Sequence, residues 1–503
     1  MKTRLIATWI LGVALTGCQQ NFLTVVPETA LSSATFFKTE SDFQQAVNGA
    51  YVPLRAIFNE RAWILGEMHS DNTYYARNVL FGAVDPTENI ADFAVPTANG
   101  ITANDNVLQQ FRYDYQIIAR TNQILALIDN LQFSSADVKN NVKGQAEFLR
   151  AFAYYELVRY FGKVPMHLTP VVGRLDAALP LSSKEELYAQ IIKDATDASK
   201  ILPNKAKQEA GRVTSGAAKT LLADVYLTQK KWAEAEALMK EVVTNDGYTL
   251  MPDYNNAFSF STSNKNNQES VFEIQYLEGS AGYNGNLLYR IIPAPITSAE
   301  LAPITGTSNP QSISGENNNI PTPDIIAAYE PGDKRKDVSV GYVTLSQSLR
   351  DNKVYPYIKK LARTHAQHNN TGTNWHVYRY SEVLLFLAEA LNEQGKTAEA
   401  ATYLNQVRAR AGLAATKATA QADMRTAVYQ ERRVELAFEN KRWFDLVRTG
   451  RMKDVITAYG ARVKANPQDY YFPKGAVPPP NAFTVLDEVY GLPAVEAALT
   501  PNF

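Results

Sequence analysis

The sequence predicts a mainly α protein: a tetratricopeptide-like helical scaffold carrying long irregular insertions and a few short strands. Three observations carry this reading. Apolar residues recur at spacings of three and four over long stretches, as in Phe111, Tyr115, Ile118, Asn122 and Leu125. Two segments repeat at a constant offset: Ala223, Tyr226, Glu234 and Ala235 match Ala388, Leu391, Glu399 and Ala400. Each reads as a helix, a tight turn (Lys230-Lys231; Gly395-Lys396) and a second helix, with small Ala where paired helices cross. Between the periodic stretches lie polar segments too long for ordinary connections.

Ser41-Asp42 can cap a first helix through Phe43, Ala46, Val47 and Tyr51 that ends near Pro53. A second helix is expected over Arg61–His69, with Trp63 in its core face. From about 72 to 106 the chain loses its period and gains Gly82, Pro86, Pro96 and Gly100, the mark of a first insertion. Helical period returns at Asn106. The stretch Gln145–Phe161 is apolar on nearly every side and so packs between other helices, ending at Gly162 and Pro165. A second insertion spans 254–320 and holds one strand, Ser270–Tyr276; a third spans 364–376. The last helices cover Met424–Val447.

The N-terminus carries Lys2 and Arg4, then an uncharged run of about twelve residues. That is shorter than the ~20 a spanning helix needs. It ends Leu15-Thr16-Gly17-Cys18, and Cys18 is the only cysteine of 503 residues. Residues 1–17 therefore read as a lipoprotein signal peptide, Cys18 as the lipidated N-terminus and 18–503 as one domain. The chain is expected to be exported and lipid-anchored, without a disulfide.

With 50 Lys plus Arg against 51 Asp plus Glu, the chain lacks the basic surface a general nucleic-acid partner needs. It carries no His-Glu-x-x-His, Gly-x-Ser-x-Gly or Walker-type phosphate loop. His365, His368 and His376 lie close together at a spacing that matches no strong metal motif, so neither metal nor cofactor is expected. Glu431, Glu435 and Glu439 recur every four residues beside Arg432, Arg433 and Arg442, a pattern that favours ion pairing over catalysis.

The candidate ligand residues are aromatics outside the periodic helices with polar neighbours: Asp71, Asn72, Tyr74, Tyr75, Arg77 and Phe81; Tyr283, Asn284 and Tyr289; and Trp375. A sugar asks for this combination, a flat ring for its C–H face and amides, carboxylates or guanidiniums for its hydroxyls.

Five segments stand in order along the chain: Asn21-Phe22-Leu23-Thr24 with Pro27; Phe36–Asp42 with Asn48-Gly49-Ala50-Tyr51; Tyr115–Asn122; Arg150–Tyr155 with Tyr160–Pro165; and Glu431–Glu439 with Arg442–Arg448. Together they resemble the SusD/RagB family of outer-membrane nutrient-binding lipoproteins. The resemblance implies a helical scaffold with an irregular ligand-binding half, whose platform draws on the region after residue 71. It also implies a non-enzymatic protein that captures an oligosaccharide or other nutrient at the outer membrane and partners a SusC-like TonB-dependent transporter. A surface glycoside hydrolase and a structural tetratricopeptide-type assembly lipoprotein are the alternatives.

Overall fold

A computed structural model of the chain describes residues 36–75, 86–314 and 319–499. The signal peptide, Cys18, Arg77 and Phe81 lie outside the described residues. The fold class is the expected one: long helices dominate, joined by segments with short strands.

Helix α1 (Glu40–Ala56) is capped two residues earlier than Ser41. The Thr39 hydroxyl accepts from the Asp42 amide, and the Asp42 carboxylate accepts from the Thr39 amide. Helix α1 ends at Ala56, close after Pro53 as expected. Pro53 offers no N–H to the Gly49 carbonyl, and the Arg120 guanidinium donates to that carbonyl instead. The chain then continues through two π-helical turns, Ile57–Arg61 and Trp63–Glu67, in which Ala62 N–H reaches Ile57 O and Met68 N–H reaches Trp63 O. The two expected helices are thus one continuous rod.

The other long helices are α2 (Asp105–Leu127), α3 (Ala136–Phe161), α4 (Lys184–Ile201), α5 (Ser215–Thr228), α6 (Trp232–Asn245), α7 (Tyr380–Glu393), α8 (Thr397–Arg410), α9 (Gln421–Glu435) and α10 (Met452–Ala465), the last lying beyond the expected end of the helices at Val447. α3 starts at the Ser135 cap, ahead of Gln145. Each helix packs on the next from α1 to α7, and α7 packs on both α8 and α9. The hairpin α5–α6 therefore sits directly on α7–α8, with the central insertion looped out between them.

The two hairpins turn identically. Lys231 N–H donates to Tyr226 O and Lys396 N–H to Leu391 O, at 2.8 and 3.0 Å, while Lys230 and Gly395 hold the left-handed position with φ 58° and 77°. Ala223, Ala235, Ala388 and Ala400 are fully buried.

The strands join remote parts of the chain. β1 (Thr73–Tyr75) pairs antiparallel with β3 (Asn319–Pro321), in the register Tyr74 opposite Ile320. β2 (Ser270–Ile274) pairs antiparallel with β6 (Trp375–Arg379), and β4 (Val340–Thr344) with β5 (Val354–Ile358). The insertions have a small core of their own, built on Leu288, Ile292, Ile296, Leu301, Ile320, Tyr355 and Tyr471.

The acidic repeat at the end of α9 is ion-paired, as expected, but not to its neighbours. α9 stops at Glu435, so Glu439 lies beyond the helix. Arg379 contacts Glu269, Glu435 and Glu439 at 2.6, 2.9 and 2.8 Å, and Arg335 contacts Glu431 and Glu435 at 2.6 and 3.0 Å. Arg410 adds bonds to Glu269 and Glu435. Burial would raise the Glu435 carboxyl, but the guanidiniums of Arg410, Arg379 and Arg335 outweigh it and hold it well below the usual range. Arg432 turns instead to Glu382 and Asp445. Such a network confers little net stability over an apolar core, yet losing one member leaves an uncompensated buried charge.

Candidate functional site

The structure withdraws half of the sequence-derived ligand residues from solvent. Asp71 is 2% exposed and grips two guanidiniums, Arg442 at 2.7 and 2.9 Å and Arg433 at 2.9 Å. Burial acts to raise its carboxyl; Arg433 and Arg442 reverse this and hold it far below the ordinary value of 3.8. Asn72 is buried between Glu67 and Arg433. Tyr74 and Tyr75 sit on β1, whose pairing with β3 closes them in. The Tyr74 hydroxyl donates to Asp92 at 2.7 Å, and its ring packs among Tyr459, Tyr470 and Phe472. Trp375, on β6, is 6% exposed against Phe58 and Trp63, each at a centroid distance of 6.1 Å. These five side chains build the scaffold and face no open surface. Trp63 is core, as expected.

Tyr283, Asn284 and Tyr289 are brought to one surface. The residues that put them there come from α1 and its π-helical continuation, a geometry often found at functional sites. Asn48, Tyr51, Arg55 and Asn59 follow one another at helical spacing, and the loop after β2 runs along them. Asn59 Oδ1 accepts from the amides of Asn286 and Leu287 at 2.7 and 3.0 Å, and its Nδ2 donates to Asn286 Oδ1 at 2.6 Å. The Tyr276 hydroxyl donates to Arg55 O at 2.8 Å. Gly285 and Thr371 exchange two backbone bonds, at 2.7 and 3.0 Å, which fasten the loop to the third insertion.

On this pinned loop Tyr283 stands 47% exposed, with the Arg55 guanidinium 4.7 Å from its ring centre. Arg55 makes no ion pair among the described residues and lines a cleft of about 240 Å³ with Asn48, Tyr51, Arg212 and Gln275. Asn284 Nδ2 donates to Asn369 O at 3.3 Å.

Half-buried Tyr289 forms a second aromatic step. Its hydroxyl meets His365 Nε2 at 2.6 Å, and the His368 ring lies 4.4 Å away. His365 Nδ1 faces Arg363 O at 2.7 Å; a carbonyl only accepts, so Nδ1 carries a proton and Nε2 is the nitrogen turned to the tyrosine hydroxyl. Burial, with His365 next to it, lowers the basicity of His368. Glu60 pairs with Arg290 at 2.6 Å beside this step. The third histidine, His376, is elsewhere, buried against Glu273 at 2.9 Å. Among the described residues no group of three metal-ligating side chains forms.

The surface offers ring faces, amides and a guanidinium. Its carboxylates are engaged: Glu60 by Arg290, and Glu278 by Ala366 N–H and the Ser261 hydroxyl at 2.6 and 2.5 Å. Arg55 and Asn59 escaped the sequence reading because they occupy helical positions. Their only local signal is the continuation of the face begun by Asn48 and Tyr51.

Comparison with known proteins agrees with this architecture. The pattern of the SusD family matches residues 332–502, and a pattern described as starch-binding associating with outer membrane matches residues 21–227. SusD-like protein P2 of Formosa agariphila is 28% identical, over 100% of this chain and 98% of its own. A SusD homolog from Bacteroides thetaiotaomicron superposes with a TM-score of 0.75 at 21% identity, over 95% of this chain and 99% of its own. Surface glycan-binding protein A from the same organism, in complex with laminarihexaose, gives 0.69 at 22% identity, over 84% of this chain and 94% of its own. At such identities the structural likeness speaks for the fold. Joined to the two sequence matches, which cover both halves of the stacked-helix scaffold, it closes the assignment: the chain belongs to the SusD family.

Proposed function

We propose that this protein is a lipid-anchored outer-membrane binding protein that captures a glycan and passes it, chemically intact, to a SusC-like TonB-dependent transporter. The observation that carries the binding role is Tyr283, an exposed ring backed by a guanidinium without an ion pair among the described residues, on a loop held rigid by Asn59 and Thr371. A ring face stacks on the C–H face of a pyranose while Arg55 and Asn48 serve its hydroxyls. Pre-positioning these groups reduces the entropy lost on binding. The relative bound to laminarihexaose supports this ligand class, and the engaged carboxylates favour binding over hydrolysis. The outer-membrane setting draws on the description of the family pattern over 21–227, and the anchor on Cys18. Tethering beside a pore raises the ligand concentration at its mouth.

Titration calorimetry with a panel of starch-type and laminarin-type oligosaccharides tests the reading. Tyr283→Ala should weaken binding about tenfold with an unchanged melting temperature, and the ligand should be recovered at full length after long incubation. Shortened products, or a binding curve indifferent to Tyr283, would overturn it. Cys18→Ala should release the protein from the membrane; retention without any partner present would reject the anchor.

A further inference from the structure

A second open cleft is not lined by Tyr283 and shares no lining residue with the cleft at Arg55. It measures about 750 Å³ and is bounded by α2, the segment after α3 and the C-terminal helix Ala494–Leu499. That is the size of a small-ligand pocket. Its wall is aromatic. Phe111 and Tyr115 lie 4.7 Å apart between ring centres, and His167 meets the Tyr115 ring edge-on at 5.9 Å.

These rings are fixed from behind. The Tyr115 hydroxyl donates to Pro165 O at 2.5 Å, and the His167 carbonyl accepts from the Tyr154 hydroxyl and Asn122 Nδ2 at 2.7 and 2.9 Å. The polar groups are of two kinds. Arg112 and Glu496 form an ion pair at 2.7 Å across the mouth. The Gln116 amide and the His167 ring nitrogens, by contrast, make no side-chain hydrogen bond among the described residues. Partial burial keeps the His167 imidazole less basic than usual, so the wall stays uncharged near neutral pH.

We infer that this cleft is a second carbohydrate site, in which a pyranose ring packs on Tyr115 and His167 while its hydroxyls bond Gln116 and the Arg112–Glu496 pair. A purely aliphatic occupant would bury the free amide and imidazole without partners, whereas a polyol satisfies both. The ligand class rests on the glycan-binding reading; the location does not depend on Tyr283. Two sites on one tethered chain would let a long glycan bind at both, with a gain in avidity from the intramolecular second contact.

The test is calorimetric titration of the full chain with laminarihexaose and a starch oligosaccharide of equal length. The expected wild-type stoichiometry is two. Tyr115→Ala should leave one event, which Tyr283→Ala then weakens about tenfold; Tyr283→Ala alone should leave the Tyr115-dependent event unchanged. Because Tyr115 is half-buried, the double variant Arg112→Ala/Gln116→Ala, which changes only exposed side chains, provides a second arm. Losing two hydrogen bonds should weaken the second event about tenfold or more. A stoichiometry of one that is insensitive to both cleft variants but weakened by Tyr283→Ala overturns this inference and leaves the proposed function standing. A Tyr115-dependent event that persists while Tyr283→Ala changes nothing supports the cleft and rejects the Tyr283 surface. If the wild type binds no member of the panel, both fall.

Discussion

Asp71 separates a scaffold role from a ligand role, and Asp71→Asn is the perturbation that decides. The substitution keeps shape and removes one charge. In the wild type the carboxylate holds Arg442 through two bonds, 2.7 and 2.9 Å, and is the only carboxylate in contact with it among the described residues. Arg433 retains the Asn72 carbonyl oxygen at 3.0 Å. Removing one partner of a buried pair costs about 3–5 kcal/mol, and the Asn72 contact puts this case near the lower end. At about 2 cal/mol/K per residue, a chain of 503 residues unfolds with an entropy near 1 kcal/mol/K, so Tm should fall by about 3 °C. The pH dependence has a definite sign. The folded carboxyl titrates below its ordinary 3.8, so the wild-type advantage is full above that value and disappears as acid drives the pH through the depressed pKa. Calorimetric melts of both forms from pH 3 to 8 read the fall in Tm and the onset of this acid loss below 3.8, and glycan titrations at 25 °C read the affinity. An unmoved Tm with a large loss of affinity would refute the scaffold assignment and return Asp71 to the ligand.

Trp375→Ala should cost about 3–5 kcal/mol, seen as a lowered Tm, while leaving glycan affinity at 25 °C unchanged; an affinity loss at constant Tm would show that the ring meets ligand. Ala388→Leu should overpack the stacked hairpins and lower stability by about 1–3 kcal/mol in urea titration, and an unshifted midpoint would reject the close helix crossing. Burial pushes the Glu67 carboxyl up to about 7, although the amides of Asn440 and Phe438 and the Asn72 side chain favour its ionised form. Its stabilising contribution is therefore full below pH 4.5 and lost as pH rises through 7, and the stability of wild type minus that of Glu67→Gln should fall by about 3 kcal/mol across that window. A difference that is flat with pH would refute this.

The sequence alone determined the helical class, the repeat and its turn. These are written in local terms: a period of three to four, small residues at matched positions, and a tight turn at Lys230-Lys231 and again at Gly395-Lys396. It also determined that the acidic residues near 435 pair with arginines, since so many charges in an apolar context must be compensated. Only the tertiary structure decided which arginines. Arg335, Arg379 and Arg410 reach Glu435 from distant sequence positions, while adjacent Arg432 and Arg433 point elsewhere. The same holds for the aromatics outside the helices. Tyr74, Trp375 and Tyr283 look alike in sequence, each in a polar, irregular stretch. Strand pairing of residue 74 with 320 and of 375 with 274 buries the first two, whereas Asn59 and Thr371 hold the backbone beside Tyr283 so that its ring stays in solvent. Exposure is a property of what covers a residue, and for these insertions the cover comes from parts of the chain too far away for any local pattern to record.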